Sequence, residues 1–362
     1  MWKRLVVPGL VIMALLGSVV AVSVSGSSGQ DDDGLPNHWE NRYGISTSEN
    51  SGDEDPDHDR LANLHEFERH TNPGNPDTDG DGYEDGLEIH KGTDPRDRRS
   101  NPGFPTPATT GVPPGWTPKR VRTTDLRVTR PGAVVKDVLL KNADISVEAP
   151  NVTIRRVKLQ GGAINNWPGK SCNSGLVIEQ STIGPAPGQN YGNDSEGVIS
   201  YGGYTAKGVK IWHRAEGFRA SGCGPVRVED SFALITPPRP CGDWHGDGLQ
   251  GYDGDAVEVR NVTLELDDTT CDGTAPFFVP SGQGNTSVDV DGLLVMGGGY
   301  PFRLGVPGKV TGLKIADDSW AFGPVDVRCS ALSEWEAEIV EVSPEYEITG
   351  HGRPQGCEGT GS

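Results

Sequence analysis

Aromatic side chains are scarce in this chain, cations are outnumbered, and from about residue 130 onward no stretch repeats its apolar residues at helical spacing. Phe, Tyr and Trp make up 7% of 362 residues, so a core has to come from Val, Ile and Leu. Only 32 Lys and Arg stand against 51 Asp and Glu, a net charge of -19. Neutralising phosphates takes clustered Lys and Arg. Nucleic acid is therefore excluded as a partner, and anionic membrane surfaces are disfavoured on the same ground. Without an amphipathic stretch of 3.6-residue period beyond about residue 130, helices should be few in that region. None of the six cysteines forms a Cys-x-x-Cys pair, which argues against zinc ligation. What abounds is Gly and Pro, 51 and 28 residues, beside a 34% hydrophobic content too high for a disordered chain.

Lys3 and Arg4 precede an apolar run from Leu5 to Ala21, and Ala21, Ser23 and Ser25 are small. Residues 1–25 read as an export signal, with a retained membrane anchor as the alternative. Either places the rest outside the cell, so a secreted or cell-surface protein is expected. Cys172, Cys223, Cys241, Cys271, Cys329 and Cys357 all follow residue 170. In an exported chain they suggest up to three disulfides, with 15 connectivities open. Cys223 and Cys241 flank the insertion at Pro237 to Pro240 and read as loop clamps.

The negative charge is local. Residues 31–97 hold 20 Asp and Glu but five Lys and Arg. One ligand spacing recurs there three times: Asp33, Asn37, Glu40; Asp59, Asn63, Glu66; Asp81, Asp85, Glu88. The third copy is complete, with Asp77, Asp79, Asp81, Gly82, Tyr83, Asp85 and Glu88 at positions 1, 3, 5, 6, 7, 9 and 12 of a calcium loop. A Ca²⁺ ion takes six to eight hard oxygens, which alternate carboxylates, the Tyr83 carbonyl and a bidentate Glu88 supply. The second copy has Asp55, Asp57, Asp59, Asn63 and Glu66, with Arg60 where the glycine belongs. The first has Asp31, Asp33, Asn37 and Glu40, with Gly29 at position 1.

Residues 29–97, and above all "DTDGDGYEDGLEIHKGTDPRD", resemble thrombospondin type 3 repeats. The resemblance implies Ca²⁺ as the cofactor that orders a segment with almost no apolar core, a spacer open to a cell-wall or surface partner. A dockerin-like module is the alternative, but three copies and the Thr-Asn-Pro and Thr-Asp-Pro endings favour the first. Residues 100–118 are Pro-rich and read as an extended, semi-rigid linker and domain boundary.

From about residue 130 short Val/Ile runs are broken by Gly, Asn and Asp. One unit recurs, apolar at a position and then at +2, +5 and +7. It begins at Val138, Val152, Leu176, Val257, Val288 and Leu313, with weaker copies from Val209 and Val226. A short strand precedes most units, around Val198, Phe218, Leu249, Phe277 and Phe302. Two short strands per repeat suggest an all-β, right-handed parallel β-helix over residues 119–345, preceded by the small calcium-loop repeat module of residues 29–99 and followed by a tail at 346–362. A jelly-roll or immunoglobulin-like sandwich is the competitor. Within residues 120–345, "VKIWHRAEGFRAS" and "WHGDGLQ" resemble stretches of secreted bacterial pectate-lyase-like β-helix proteins. That group includes polysaccharide lyases and glycoside hydrolases, so the resemblance implies fold more firmly than reaction.

Stacked in register, Val198, Phe218, Leu249, Phe277 and Phe302 point inward, and Ile199, Arg219, Gln250, Phe278 and Arg303 point out. Glu196, Glu216, Asp247, Ala275 and Tyr300 lie at the mouths of these strands. His213 and His245 are near in sequence, and Tyr201, Trp244 and Tyr252 are available to stack on sugars. Catalysis is thus expected from His245, Asp247, Glu216, Arg219 and His213, with Gln250, Arg303, Tyr252, Tyr201 and Trp244 binding substrate. A lyase would neutralise a uronate carboxylate with Arg219, Arg303 or Ca²⁺ and use His245 or His213 as base, with Tyr252 or the other His as acid. An inverting hydrolase would pair Glu216 with Asp247. A non-catalytic polysaccharide-binding protein is the third reading. Blander roles stand beside these: Asp247-Gly248 as a turn, Arg219 and Glu216 as a structural ion pair, and the Asn-x-Ser/Thr sequences at Asn151, Asn193, Asn261 and Asn285 as strand composition. A lyase acting on a uronate-containing polysaccharide is the leading expectation. Oligomeric state is not specified.

Overall fold

A computed structural model describes residues 31, 33–79, 83–97, 103–166, 173–189, 197–222, 224–241, 244–267, 271, 273–350 and 352–357. Residues 1–25, read above as an export signal, and Asp81, Gly82, Cys172, Cys223, Asn193 and Glu196 lie outside them. The chain divides into two compact units, Met1–Asn75 and Pro76–Ser362.

The acidic copies are loop-and-helix units. Each ends in a seven-residue helix that starts at the ninth loop position: α1 (Asn37–Tyr43), α2 (Asn63–Arg69) and α3 (Asp85–Lys91). Each helix stops at a left-handed residue, Gly44, His70 or Gly92. The first unit carries α1 and α2 around Leu35, Trp39 and Leu61, with the Trp39 and Phe67 rings 5.7 Å apart. That is a small core for its length. The third loop and α3 belong to the second unit, where Tyr83 packs on Phe104 at 5.7 Å. Phe104 is buried with Leu294 and Val340. The Pro-rich stretch also docks there. Gly111 N donates to Gly208 O, Val112 N to Thr182 Oγ1, and Lys210 Nζ to Pro107 O.

The rest of the second unit is an all-β parallel β-helix. Among the described residues nine short strands form one sheet, and thirteen strands form the other. Each coil adds a short strand to the first sheet and then a long strand, or two halves of one, to the second. Columns of identical character run along the stack. Ile154, Ile178, Ala206, Val228, Val259, Val290 and Val310 follow one another in register, all fully buried. In the nine-stranded sheet Leu126, Ile145, Ile164, Ile199, Phe218, Leu249, Phe277, Phe302 and Val325 also follow in register, all buried except the partly exposed first member, Leu126. Phe277 and Phe302 lie face to face at 4.7 Å, the rung spacing itself.

Each long strand bends at a left-handed residue four positions into its repeat. These are Asp137, Arg156, Gln180, Gly208, Asp230, Asn261, Gly292 and Gly312. Asn, Asp and Gly tolerate that conformation, and the bend explains why the apolar period jumps from +2 to +5. It also explains three register corrections. Units read from Val138, Val209 and Leu313 in fact begin at Ala133, Tyr204 and Gly308, five residues earlier. The second half of a unit mimics the first, because Val138 and Leu140 precede another left-handed residue, Asn142. A fourth correction concerns the short strands. Ile199, not Val198, pairs with Phe218 and points inward.

Among the described residues two disulfides are present, Cys241–Cys271 and Cys329–Cys357. The second ties the C-terminal segment to the last coil, where Arg353–Pro354 pairs antiparallel with Leu332–Val340. Among the described residues no helix is long and apolar enough to cross a membrane.

Phe277→Ala removes a ring from the stacked pair. It should destabilise the β-helix by about 3–5 kcal/mol, read as a lower urea midpoint. An unchanged midpoint would refute the stacked aromatic core.

Candidate functional site

The nine-stranded sheet aligns Arg219 with Gln250, Gln250 with Phe278, Phe278 with Arg303, and Arg303 with Asp326. These side chains face outward, because their neighbours Phe218, Leu249, Phe277 and Phe302 fill the core. Arg219 donates from Nε and Nη2 to Gln250 Oε1, at 3.0 and 2.7 Å. Gln250 Nε2 donates to Asp247 Oδ2 at 2.9 Å, and the Asp247 amide donates to Glu216 Oε2 at 3.3 Å. Glu216, Asp247, Gln250 and Arg219 therefore form one connected chain across two rungs.

Asp247 is 1% exposed, and its Oδ1 is buried with no hydrogen-bond partner. Burial holds its carboxyl well above the ordinary aspartate range, against the opposing pull of the Ala275 amide and the Arg219 and Arg303 charges. Outward along the face lie aromatic rings. The Arg219 guanidinium is 6.0 Å from the centre of the Tyr252 ring, which is 55% exposed. The Arg303 guanidinium is 5.1 Å from Phe278 and 5.7 Å from Tyr300.

Register also sets the charge pattern. On both sheets a cation usually sits opposite a carboxylate on the next rung: Arg155 on Glu179, Lys207 on Glu229, Arg227 on Glu258, Arg303 on Asp326, Lys309 on Glu334, Lys314 on Glu338. Arg219 departs from this. Its rung partner is the neutral Gln250, and no carboxylate among the described residues lies within ion-pair distance of it.

Other candidates fall elsewhere. His213 is on the strand Lys210–Arg214 of the thirteen-stranded sheet, where its Nδ1 meets Thr236 Oγ1 at 2.9 Å. It is therefore not on the face that carries Arg219. Sequence proximity to Glu216 misplaced it, because the chain turns from one sheet to the other between them. Trp244 is 8% exposed and its indole donates to Ala215 O, so it is a core residue and not a stacking platform. His245 is exposed in the loop before Asp247, and Tyr201 is half-buried with a left-handed backbone. Phe278 was readable as facing out and Tyr300 as lying at a strand mouth, but neither was counted as a ligand contact. The signal for Phe278 was its register with Gln250 and Arg303.

The acidic loops place their carboxylates together. Ligand oxygens of Asp31, Asp33 and Glu40 lie within 4.8 Å of one another, and so do those of Asp55, Asp57 and Asp59. Glu40 is fully buried, yet neither carboxylate oxygen has a hydrogen-bond partner, and the same holds for both oxygens of Asp31. Burial, followed by repulsion from Asp31 and Asp33, raises the Glu40 pKa. In the second loop Asp55 Oδ1, Asp57 Oδ2 and Asn63 Oδ1 are likewise buried and unpartnered. Arg60 takes the left-handed backbone (φ 78) that the sixth position requires, and its amide donates to Asp55 Oδ2. Buried oxygens crowded together without donors suit a hard divalent cation such as Ca²⁺. In the first loop Asn37 opens α1. In the second, Glu66 is fully buried and its Oε1 accepts from the Thr71 hydroxyl. In the third, Asp85 and Glu88 are fully buried, and Asp85 accepts two hydrogen bonds from Thr78.

Two outcomes are expected. Asp247 binds its proton more tightly folded than unfolded, so its contribution to stability is full below the unfolded pKa and is lost as pH rises through the folded one. Asp247→Asn should match the wild-type melting temperature near pH 4 and gain on it as pH rises. A constant difference across pH would contradict the buried neutral acid. Calorimetric titration of the chain with Ca²⁺ should show binding that loses equivalents in Glu40→Gln and in Asp57→Asn. No calcium-dependent heat would dismiss the loop assignment. Compared with protein-family models, with curated proteins and with solved structures, the chain matches none.

Proposed function

We propose that this chain is an exported carbohydrate-active protein whose nine-stranded face binds a uronate-containing polysaccharide and cleaves it by β-elimination. The observation that carries the reading is Arg219. It is aimed by Gln250, flanked by the exposed Tyr252 ring, and without a carboxylate in ion-pair distance among the described residues, in a chain of net charge -19. Such a cation suits the carboxylate of a sugar, and aromatic rings beside it suit sugar faces.

In this mechanism Arg219 neutralises the substrate carboxylate, which acidifies the proton on the adjacent carbon. His245 takes that proton, the carbon–carbon double bond forms, and the glycosidic carbon–oxygen bond breaks. Tyr252 protonates the leaving oxygen. Asp247 touches no substrate; it positions Gln250 and through it Arg219. An inverting hydrolase is the second reading, favoured by Asp247 being held neutral beside Glu216.

Calcium in the acidic loops, the thrombospondin type 3 resemblance and the pectate-lyase-like resemblance belong to the same proposal. The loops act as a calcium-stiffened spacer for the catalytic unit, with a surface partner as their further role. Two disulfides fit an oxidising compartment.

The test is digestion of a panel of uronate polysaccharides with calcium present, reading ultraviolet absorbance and reducing ends together. Unsaturated product is expected, and Arg219→Ala should lower kcat about 10²-fold. Reducing ends without absorbance would move the chemistry to Glu216 and Asp247. Neither signal would leave a binding protein.

A further inference from the structure

On the thirteen-stranded sheet, Lys158, Thr182 and Lys210 stand in one column on three successive rungs. Their neighbours Val157, Leu159, Ile183, Val209 and Ile211 are fully buried, so the two lysines face outward. Two rungs separate the ammonium stems, about 9–10 Å. This column breaks the sheet's charge pattern. Neither Lys158 nor Lys210 has a carboxylate within ion-pair distance among the described residues, whereas Lys207, Lys309 and Lys314 each do. Lys210 is held instead by the neutral carbonyl of Pro107 at 2.7 Å. Burial, and then the charge of Lys158, lowers the Lys210 pKa. Two like charges thus sit half-buried on one strip with only neutral groups beside them among the described residues.

The strip borders a cleft of about 490 Å³. In the adjacent column Gln160 pairs with Gly184, and Trp212 follows on the next rung. A Cβ at Gly184 would meet only Trp212 O and Leu159 O, at 3.8 and 3.9 Å. Nothing in the backbone calls for glycine there. What its missing side chain does is leave the floor open between an amide and a half-exposed indole. At the far wall burial pushes the His213 imidazole pKa down, against the charge of Asp267, so the ring is a neutral hydrogen-bonding group.

We propose that this cleft is a second binding site, distinct from the nine-stranded face, for an acidic sugar. The ligand's oxyanion meets Lys158 and Lys210, its ring face lies on Trp212, and its hydroxyls reach Gln160 and His213. The site uses no residue of the Arg219 cluster, so it stands or falls without the lyase reading.

Calorimetric titration of the full chain in calcium buffer tests it, with sodium galacturonate, galactose and sodium sulfate as probes. Galacturonate should bind and galactose should not. Lys158→Met and Lys210→Met keep the aliphatic stems, and each should weaken galacturonate about tenfold. Gly184→Leu fills the floor and should abolish binding with both lysines in place. All titrations are made in an Arg219→Ala background, which removes the uronate contact of the nine-stranded face and should leave the cleft binding in place. Thermal midpoints close to that of the background show that the variants fold. Absence of galacturonate binding in that background, or binding there that survives all three cleft variants, would overturn the site. Sulfate binding as tightly as galacturonate would overturn the sugar assignment.

Discussion

The hydrogen-bonded stacking of each coil on the last, about 4.8 Å per rung, is the constraint from which the β-helix and its candidate sites follow. It forces like positions into columns. Inside, a column must be uniformly apolar, as Ile154 to Val310 is. Outside, a column of equal charges repels itself, so cations alternate with carboxylates along it. Each such surface pair is worth about 1 kcal/mol or less, but together they keep the stack in register. Departures from alternation therefore stand out. Arg219 opposite Gln250 and Lys158 opposite Thr182 leave positive charge with no ion-pair partner among the described residues of a strongly acidic protein.

The same stacking supplies the burial that tunes Asp247. Its carboxyl lies under the next rung, where Ala275 closes over it. A carboxylate there would lose its hydration, so the proton stays. Gln250 can then satisfy one oxygen, and its carbonyl is turned toward Arg219. A buried acid, an amide and a surface guanidinium become one rigid line, and the guanidinium's direction is set from below.

Much of this was legible in the sequence. The +2, +5, +7 unit exposed the coils, because two-residue alternation is broken once per repeat by a left-handed bend. The order Phe218, Leu249, Phe277, Phe302 was visible as a recurring apolar anchor before each unit. Three units were misplaced by five residues, since the second half of a repeat has the same apolar pattern as the first and only the backbone at Asn142 or Gly312 distinguishes the bends. His213 was misassigned because nearness in sequence carries no information about which sheet a residue joins. Gly184 was invisible, because a floor made by a missing side chain has no residue pattern. In the acidic loops the ligand spacing was plain, but the burial of Glu40 and Asp31 depends on the fold around them.

The strand Arg353–Pro354, tied down through Cys329–Cys357, lies on the last coil in the opposite sense to every other neighbour. Part of that coil's outer edge is already spoken for by the chain's own tail. Pro354 has no amide proton to offer a further strand. A coil added end to end from another molecule would find a mismatched, partly closed edge. The stack thus carries its own stop against growth into filaments, and an oxidising environment keeps that stop in place.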